Sequence, residues 1–276
     1  MSQIKIAFAG FTLALAGLWL LADTLPIGGA GTLPIGAAFT QLTGILSIGM
    51  MSFGALLSIR PKWLEPTFDG LDKMYRLHKW LGIGGLAIGV VHWLTATGDG
   101  RGGPGGALAT SSQSLLESLH GPAKGIAQPA LWVLIALIAI ALIKYIPYRF
   151  FAKTHILVAI IFAFMAFHSV VLMKATYWSQ PIGLATLGLV AVGGVSTVIA
   201  LLRRFGLRTQ ATGTVTSATY YPELRVLETE MKVDGTWPGH EAGQFAFVTT
   251  DWREGPHPYT IATAWDAAER KIGFIA

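Results

Sequence analysis

Four of the seven histidines form two pairs with nearly equal spacing. His78 and His92 are 14 residues apart, and His155 and His168 are 13 residues apart. In an α-helix each separation corresponds to roughly 20 Å along the axis. Because imidazole is a common ligand of haem iron, two helices carrying such pairs side by side would offer two bis-histidine sites at two levels. The chain has no cysteine, which excludes iron–sulfur clusters, Cys–zinc sites and thioether-linked haem.

The segments that position these histidines are apolar enough to lie in a bilayer. Of 276 residues, 53% are hydrophobic and only 13% are charged, about half the charged fraction of a soluble domain. Six stretches without Asp, Glu, Lys or Arg are close to the roughly 20 residues that cross a bilayer. These candidate spans are 6–22, 36–59, 80–98, 126–143, 154–173 and 175–202. The composition therefore argues against a water-soluble globule and favours a protein embedded in the lipid bilayer.

The basic residues predict how these spans are oriented. With the N-terminus in the cytoplasm and alternating spans, twelve Lys and Arg residues of the membrane region lie inside and three outside. This bias predicts an integral protein of a bacterial inner or plasma membrane, with its N-terminus and its C-terminal segment in the cytoplasm. It also accounts for the net charge of +5 without a nucleic-acid partner. The third and fifth spans then run in the same direction. His78 lies level with His155 near the inner surface (the inner pair), and His92 lies level with His168 near the outer surface (the outer pair).

Other interpretations of the same residues stay open. The histidines could instead hydrogen-bond neighbouring helices, and zinc suits paired histidines without carboxylates poorly. Fourteen residues equal two heptads and keep the same helix face, whereas 13 residues do not. Either the fifth span is therefore locally distorted, or the two haems are turned relative to one another. Gly82, Gly85 and Gly89 have two interpretations, room for porphyrin and close helix packing, and the two are compatible. His120, expected in the outer loop, and His240, in the C-terminal segment, are predicted to lie outside these sites.

The composition changes after the sixth span. Short, partly alternating runs rich in β-branched and aromatic residues are separated by Pro, Gly and Asp, which predicts strands and turns. The predicted strands are 215–219, 225–233, 244–249 and 271–276. We therefore divide the chain into a membrane domain, 1–208, and a second domain, 209–276. The second domain is short for a closed barrel, so we expect the chain to be a fragment of a longer protein.

The second domain also carries a short motif, formed by His257, Pro258, Tyr259 and Thr260. Together with the six spans and the histidine quartet, this motif resembles the ferric reductase/NADPH oxidase superfamily. The resemblance implies that the four histidines bind two haem b groups. It also implies that the motif, His-Pro-Phe-Thr in the family, binds FAD in a cytoplasmic barrel. A tyrosine in place of phenylalanine keeps a planar ring that can stack on the flavin, and Thr260 can hydrogen-bond the flavin's polar edge.

The fold class that follows is membrane all-α: a six-helix bis-haem bundle, followed by the start of an antiparallel, ferredoxin-reductase-like flavin-binding β-barrel. The resemblance implies an NAD(P)H oxidase or ferric reductase type of enzyme. Electrons would pass from cytoplasmic NAD(P)H through FAD and the haems to O2, giving superoxide, or to Fe3+ outside the cytoplasm. No side chain is assigned a catalytic role, because the cofactors carry the chemistry. Since the rest of the barrel and an NAD(P)H-binding domain are not recognised in this chain, we expect that it does not use NAD(P)H alone.

Two other functions fit parts of the pattern. A membrane cytochrome b subunit, fed with electrons by a separate partner protein, would need the histidines and no nucleotide domain. A haem-free membrane scaffold or transporter would need only the six spans. The sequence favours neither O2 nor Fe3+ as the acceptor, and neither NADH nor NADPH as the donor.

Overall fold

The structure, a computed structural model, describes ten segments of the chain in which backbone placement is defined. These segments are 2–22, 35–68, 70–98, 115–143, 145–202, 211–235, 237, 239–241, 244–251 and 256–276. The chain divides into two compact units, Met1–Arg203 and Arg204–Ala276. We call them the membrane unit and the β unit.

The membrane unit is entirely helical apart from its connections. Its helices are α1 (Ser2–Ala22), α2 (Ile35–Ser58), α3 (Glu65–Phe68), α4 (Leu71–Gly98), α5 (Leu115–Leu142), α6 (Tyr148–Val171) and α7 (Pro181–Leu201). Within the described segments, six of them, all except α3, are long and apolar enough to cross a membrane. The predicted six-span membrane domain is thereby confirmed, and the chain is an integral membrane protein.

Several helices begin at residues other than those predicted. Helix α4 begins at Leu71 rather than at 80, and α5 begins at Leu115 rather than at 126. The prediction that His120 lies in a loop is wrong, because α5 includes it. The predicted spans begin after Lys79 and Lys124 because they are defined as stretches without charged residues. A helix can continue through such residues, since long charged side chains near its end reach the headgroups. The last span begins at Pro181 because residues 175–179 form a separate 3-10 turn.

Helix α2 packs against α4 and α7, while α5 packs against α6. Close approach of α2 and α4 depends on small residues. A Cβ atom added to Gly85 would lie 3.3 Å from Cγ of Met51, and the Ser47 hydroxyl donates a 2.8 Å hydrogen bond to the Gly85 carbonyl. A Cβ added to Gly89 would lie 3.0 Å from Oγ of Ser47, whereas one at Gly82 would meet no atom within 4 Å. Gly85 and Gly89 therefore serve helix packing, the second of the two interpretations above.

The β unit consists of antiparallel strands. They are β1 (Gly213–Tyr221), β2 (Val226–Val233), β3 (Phe245–Val248), β4 (His257–Thr260) and β5 (Lys271–Ile275). One sheet has the order β1-β2-β5, β3 pairs with β4, and a bridge between Ile261 and Phe274 joins the two. Val233, Ile261, Ile272 and Phe274 form the buried core. This is the predicted beginning of an antiparallel β domain after the helices; whether it binds flavin stays a prediction.

Candidate functional site

Helices α4 and α6 bring the four histidines together in two facing pairs. The ring centres of His78 and His155 are 6.0 Å apart with the ring planes at 72°. The ring centres of His92 and His168 are 6.1 Å apart with the planes at 86°. Each residue thus faces the partner that lies at the same level in the predicted orientation.

The separation of the rings suits a shared metal ion. A metal–imidazole nitrogen bond of about 2 Å, with about 1.2 Å from nitrogen to ring centre on each side, puts two trans rings roughly 6.4 Å apart. Both pairs are within half an ångström of this value. Among the residues that the structure describes, no group of three or more His, Asp or Glu could hold a metal ion. The donor set of each pair is therefore two imidazoles, which would suit an iron whose remaining ligands come from a porphyrin.

In three of these imidazoles, Nδ1 is hydrogen-bonded to a backbone carbonyl. This arrangement prepares Nε2, the second ring nitrogen, to bind a metal. Nδ1 of His78 lies 2.8 Å from the Gly54 carbonyl oxygen, and Nδ1 of His92 lies 2.9 Å from that of Thr40. Because a carbonyl oxygen can only accept, each Nδ1 carries the proton and donates it. The lone pair is then on Nε2, the nitrogen available to iron, and the ring orientation is set by the backbone.

Helix α2 supplies both of these acceptors in one register. Thr40 and Gly54 are 14 residues apart, as are His92 and His78 on α4. An antiparallel pair of helices that keeps the same seam over two heptads therefore presents a carbonyl to each ring. Gly44, one turn beyond Thr40, also allows close approach, because a Cβ added there would lie 3.1 Å from Cε1 of His92.

The two histidines of α6 differ from each other. Nδ1 of His168 lies 2.9 Å from the carbonyl oxygen of Ala123 in α5, so it is also a donor. Nδ1 of His155 is buried without a hydrogen-bond partner among the described residues, and the Phe151 ring stacks on this imidazole with centres 5.0 Å apart. Helix α6 is continuous from Tyr148 to Val171, so a local break does not accommodate the 13-residue spacing. Of the two rings, only that of His168 is placed against a neighbouring carbonyl.

A porphyrin held by these histidines would have to fit between α4 and α6, and the packing of the membrane unit is compatible with this requirement. Within the described segments, α4 rests on α2 and α6 rests on α5, but α4 and α6 do not pack against each other along their length. Two facing imidazole pairs connect these two helices. Their residues and surroundings thus fit a planar, bis-histidine-ligated group at each level.

In the β unit, the four-residue motif forms strand β4 and pairs with β3. Tyr259 is half-buried, and its ring centre is 6.0 Å from that of Phe274 in the core. Pro258 and Thr260 are exposed, whereas His257 is half-buried. A ligand approaching this strand would therefore meet the Thr260 hydroxyl more readily than the full face of Tyr259.

Sequence reasoning did not find the partners that orient the histidines. The acceptors are backbone carbonyls of Gly54, Thr40 and Ala123, and any residue type could supply them. Phe151 could have been found, because a residue four positions before His155 lies on the same face of a helix.

The fold and the paired histidines define an integral membrane protein with two potential bis-histidine sites between its helices. Residues 43–166 match the family described as Ferric reductase like transmembrane component. This match confirms the resemblance to the ferric reductase/NADPH oxidase superfamily and indicates, at the level of the family, a transmembrane oxidoreductase or cytochrome b component. The matched range includes His78, His92 and His155 and ends two residues before His168. No curated protein matches the chain closely enough to be informative.

Proposed function

We propose that the chain is the electron-conducting part of a transmembrane oxidoreductase. It would carry electrons from cytoplasmic NAD(P)H, with FAD and two haem b groups as redox cofactors, to an acceptor on the outer side. The observation that carries this proposal is the geometry of the two histidine pairs. Their rings face each other at 6.0 and 6.1 Å across two parallel membrane helices.

The roles of the four ligands follow from that geometry. His78 and His155 would hold the inner haem, and His92 and His168 the outer haem. When bound, the haem irons supply one-electron redox chemistry, which the apolar bilayer otherwise lacks. The chain's own task is to hold each imidazole with Nε2 toward the iron and to exclude water. The carbonyls of Gly54, Thr40 and Ala123 support this task by keeping the proton on Nδ1 of three rings.

The acceptor would be O2 or Fe3+. Because the two imidazoles of each pair would hold the iron of a bound haem, the acceptor would have no free position on that iron to occupy. Reduction at the outer surface would therefore proceed by electron transfer without a bond to iron. Both O2 and Fe3+ can be reduced in this way.

The flavin would bind at β4 of the β unit. The exposed Thr260 hydroxyl would hydrogen-bond its polar edge, Tyr259 would offer part of its ring, and His257 would approach the phosphates. These roles rest on the family motif, and they require the remainder of the barrel and a nucleotide-binding domain for turnover with NAD(P)H.

The test is a reduced-minus-oxidised spectrum of the purified chain, with haem and flavin quantified per polypeptide. We expect about two haem b per chain and the spectrum of six-coordinate, low-spin iron before and after dithionite. A colourless protein after expression with adequate haem supply would overturn the proposal in favour of a haem-free scaffold. Two haems in a full-length protein that never retains flavin would instead favour a cytochrome b subunit fed by a partner.

A further inference from the structure

The four axial histidines are not held in the same way. Three of them donate an Nδ1 hydrogen bond of 2.8 to 2.9 Å to a backbone carbonyl. Nδ1 of His155 is buried and has no such partner in the described part of the chain. What holds this ring is a stack: the Phe151 ring lies with its centre 5.0 Å away and its plane within 23° of parallel.

The difference has a physical origin in the spacing of the histidines. The 14-residue repeat on α4 returns each ring to the same neighbour, α2, and a carbonyl lies within reach at both levels. The 13-residue spacing on α6 is one residue short of this repeat, and α5 supplies a carbonyl to His168 but not to His155. Phe151 is one turn before His155 on the same face, where its ring can restrict rotation of the imidazole.

A ligand without this hydrogen bond is weaker in two respects. Its orientation and tautomer are not set by the backbone, and its Nε2 is a poorer electron donor than that of an imidazole whose Nδ1–H is hydrogen-bonded. With haem bound, His155 of the inner pair would therefore be the least constrained of the four ligands.

We propose that Phe151 is the positioning residue for His155 and that the inner site is the weaker of the two axial pairs, with His155 as the ligand that yields. This inference rests on the proposed function, because it assumes that the four histidines hold haem. Its chemical consequence would be a ligand exchange on bound haem: the His155 imidazole would leave ferrous iron as a neutral group, carbon monoxide would take its place, and no electron would be transferred. In the intact protein the stack opposes this exchange.

The experiment uses the full haem-loaded chain, reduced with dithionite and exposed to carbon monoxide. The wild-type protein should be nearly inert, because both axial positions are occupied. In Phe151→Ala we expect about half of the total haem, the inner group, to bind carbon monoxide and the oxidised protein to gain a high-spin signal. Phe151→Tyr keeps a planar ring and should restore the inert spectrum. Phe151→Leu fills much of the volume without a planar face and should remain reactive.

Phe164 provides a matched control on the same helix. It lies four residues before His168, as Phe151 lies four before His155, and it is 41% exposed. Because the Ala123 carbonyl holds His168, Phe164→Ala should stay inert to carbon monoxide.

Three results would overturn the inference. They are a Phe151→Ala protein with two haems and no reactivity, an equal gain of reactivity in Phe164→Ala, or a Phe151→Leu protein as inert as Phe151→Tyr. If Phe151→Ala does not accumulate, Phe151→Leu decides the question. A wild-type chain without haem would contradict the proposed function instead, so the two failures are distinguishable.

Discussion

Histidines in the two units of the molecule use their ring nitrogens differently. In the β unit, Nδ1 of His240 accepts a 3.3 Å hydrogen bond from Nε1 of Trp237, and its Nε2 donates a 2.9 Å bond to the Thr263 carbonyl. Both nitrogens are thus engaged in joining two stretches of backbone. In the membrane unit, hydrogen bonding of His78, His92 and His168 within the described residues uses Nδ1 alone.

This difference separates a structural histidine from one prepared to be a ligand. A ring with both nitrogens bonded has completed its polar interactions within the fold. A half-buried imidazole at membrane depth with Nε2 left over carries a lone pair that apolar surroundings cannot satisfy, which costs free energy unless something binds it. In the two facing pairs the ring centres are 6.0 and 6.1 Å apart, a separation that would suit one shared metal ion in each pair.

The strongest way to break this comparison is to remove one histidine from each unit. We expect His92→Ala to lose about half of the haem, because the outer iron loses one of only two protein ligands. His240→Ala should keep the full haem content. The measurement is haem per polypeptide with the reduced spectrum. Unchanged haem in His92→Ala, or an equal loss in His240→Ala, would refute the assignment of His92 as a haem ligand.

The sequence was sufficient to predict which histidines face each other, whereas their binding of a metal stays a prediction. The spacings of 14 and 13 residues, read as helix and combined with the positive-inside rule, matched His78 to His155 and His92 to His168. This works because membrane helices are long and regular and polar residues are rare in them. The assumption that charged residues mark helix ends gave wrong boundaries, because α4 and α5 continue through Lys79 and Lys124.

What holds the rings could not be predicted in the same way. The acceptors are carbonyl oxygens, which every residue has, so the identities of Thr40 and Gly54 carry no signal of this role. The 13-residue spacing of His155 and His168, one residue short of two heptads, did indicate that α6 positions its histidines differently from α4. Its consequence, a missing acceptor at His155, depends on where α5 packs and required the three-dimensional structure.

A smaller change can sharpen the comparison within α2, which has a glycine beside each α4 histidine. A Cβ added to Gly44 would lie 3.1 Å from Cε1 of His92, whereas one at Gly54 would lie 3.8 Å from Nδ1 of His78, an ordinary contact. Gly44→Ala should push the His92 ring off its preferred rotamer at a cost of about 0.5–1.5 kcal/mol, about two- to tenfold in affinity for the outer haem. Haem retention during dilution in detergent measures this effect.

Gly54→Ala is the matched control for that substitution and should retain both haems like the wild-type protein. Gly82→Ala on α4, where a Cβ would meet nothing within 4 Å, tests for a general effect of adding a methyl group. Equal retention by Gly44→Ala and Gly54→Ala would show that contact with the imidazole does not limit binding.

The smallest effect should come from the β unit, where His240 joins residues 237–241 to the segment that contains Thr263. Removing its ring in His240→Ala leaves Trp237 Nε1 without its acceptor and the Thr263 carbonyl without its donor, but both can find water because His240 is only half-buried. We expect a loss of about 1 kcal/mol, seen as roughly fivefold faster amide exchange in the segment around Thr263. His120→Ala, which removes a half-buried histidine from α5, should leave that exchange unchanged. If amide exchange in His240→Ala equals that of the wild-type protein, hydrogen bonding by both ring nitrogens does not indicate a structural role. The contrast with the histidines of the membrane unit would then be invalid.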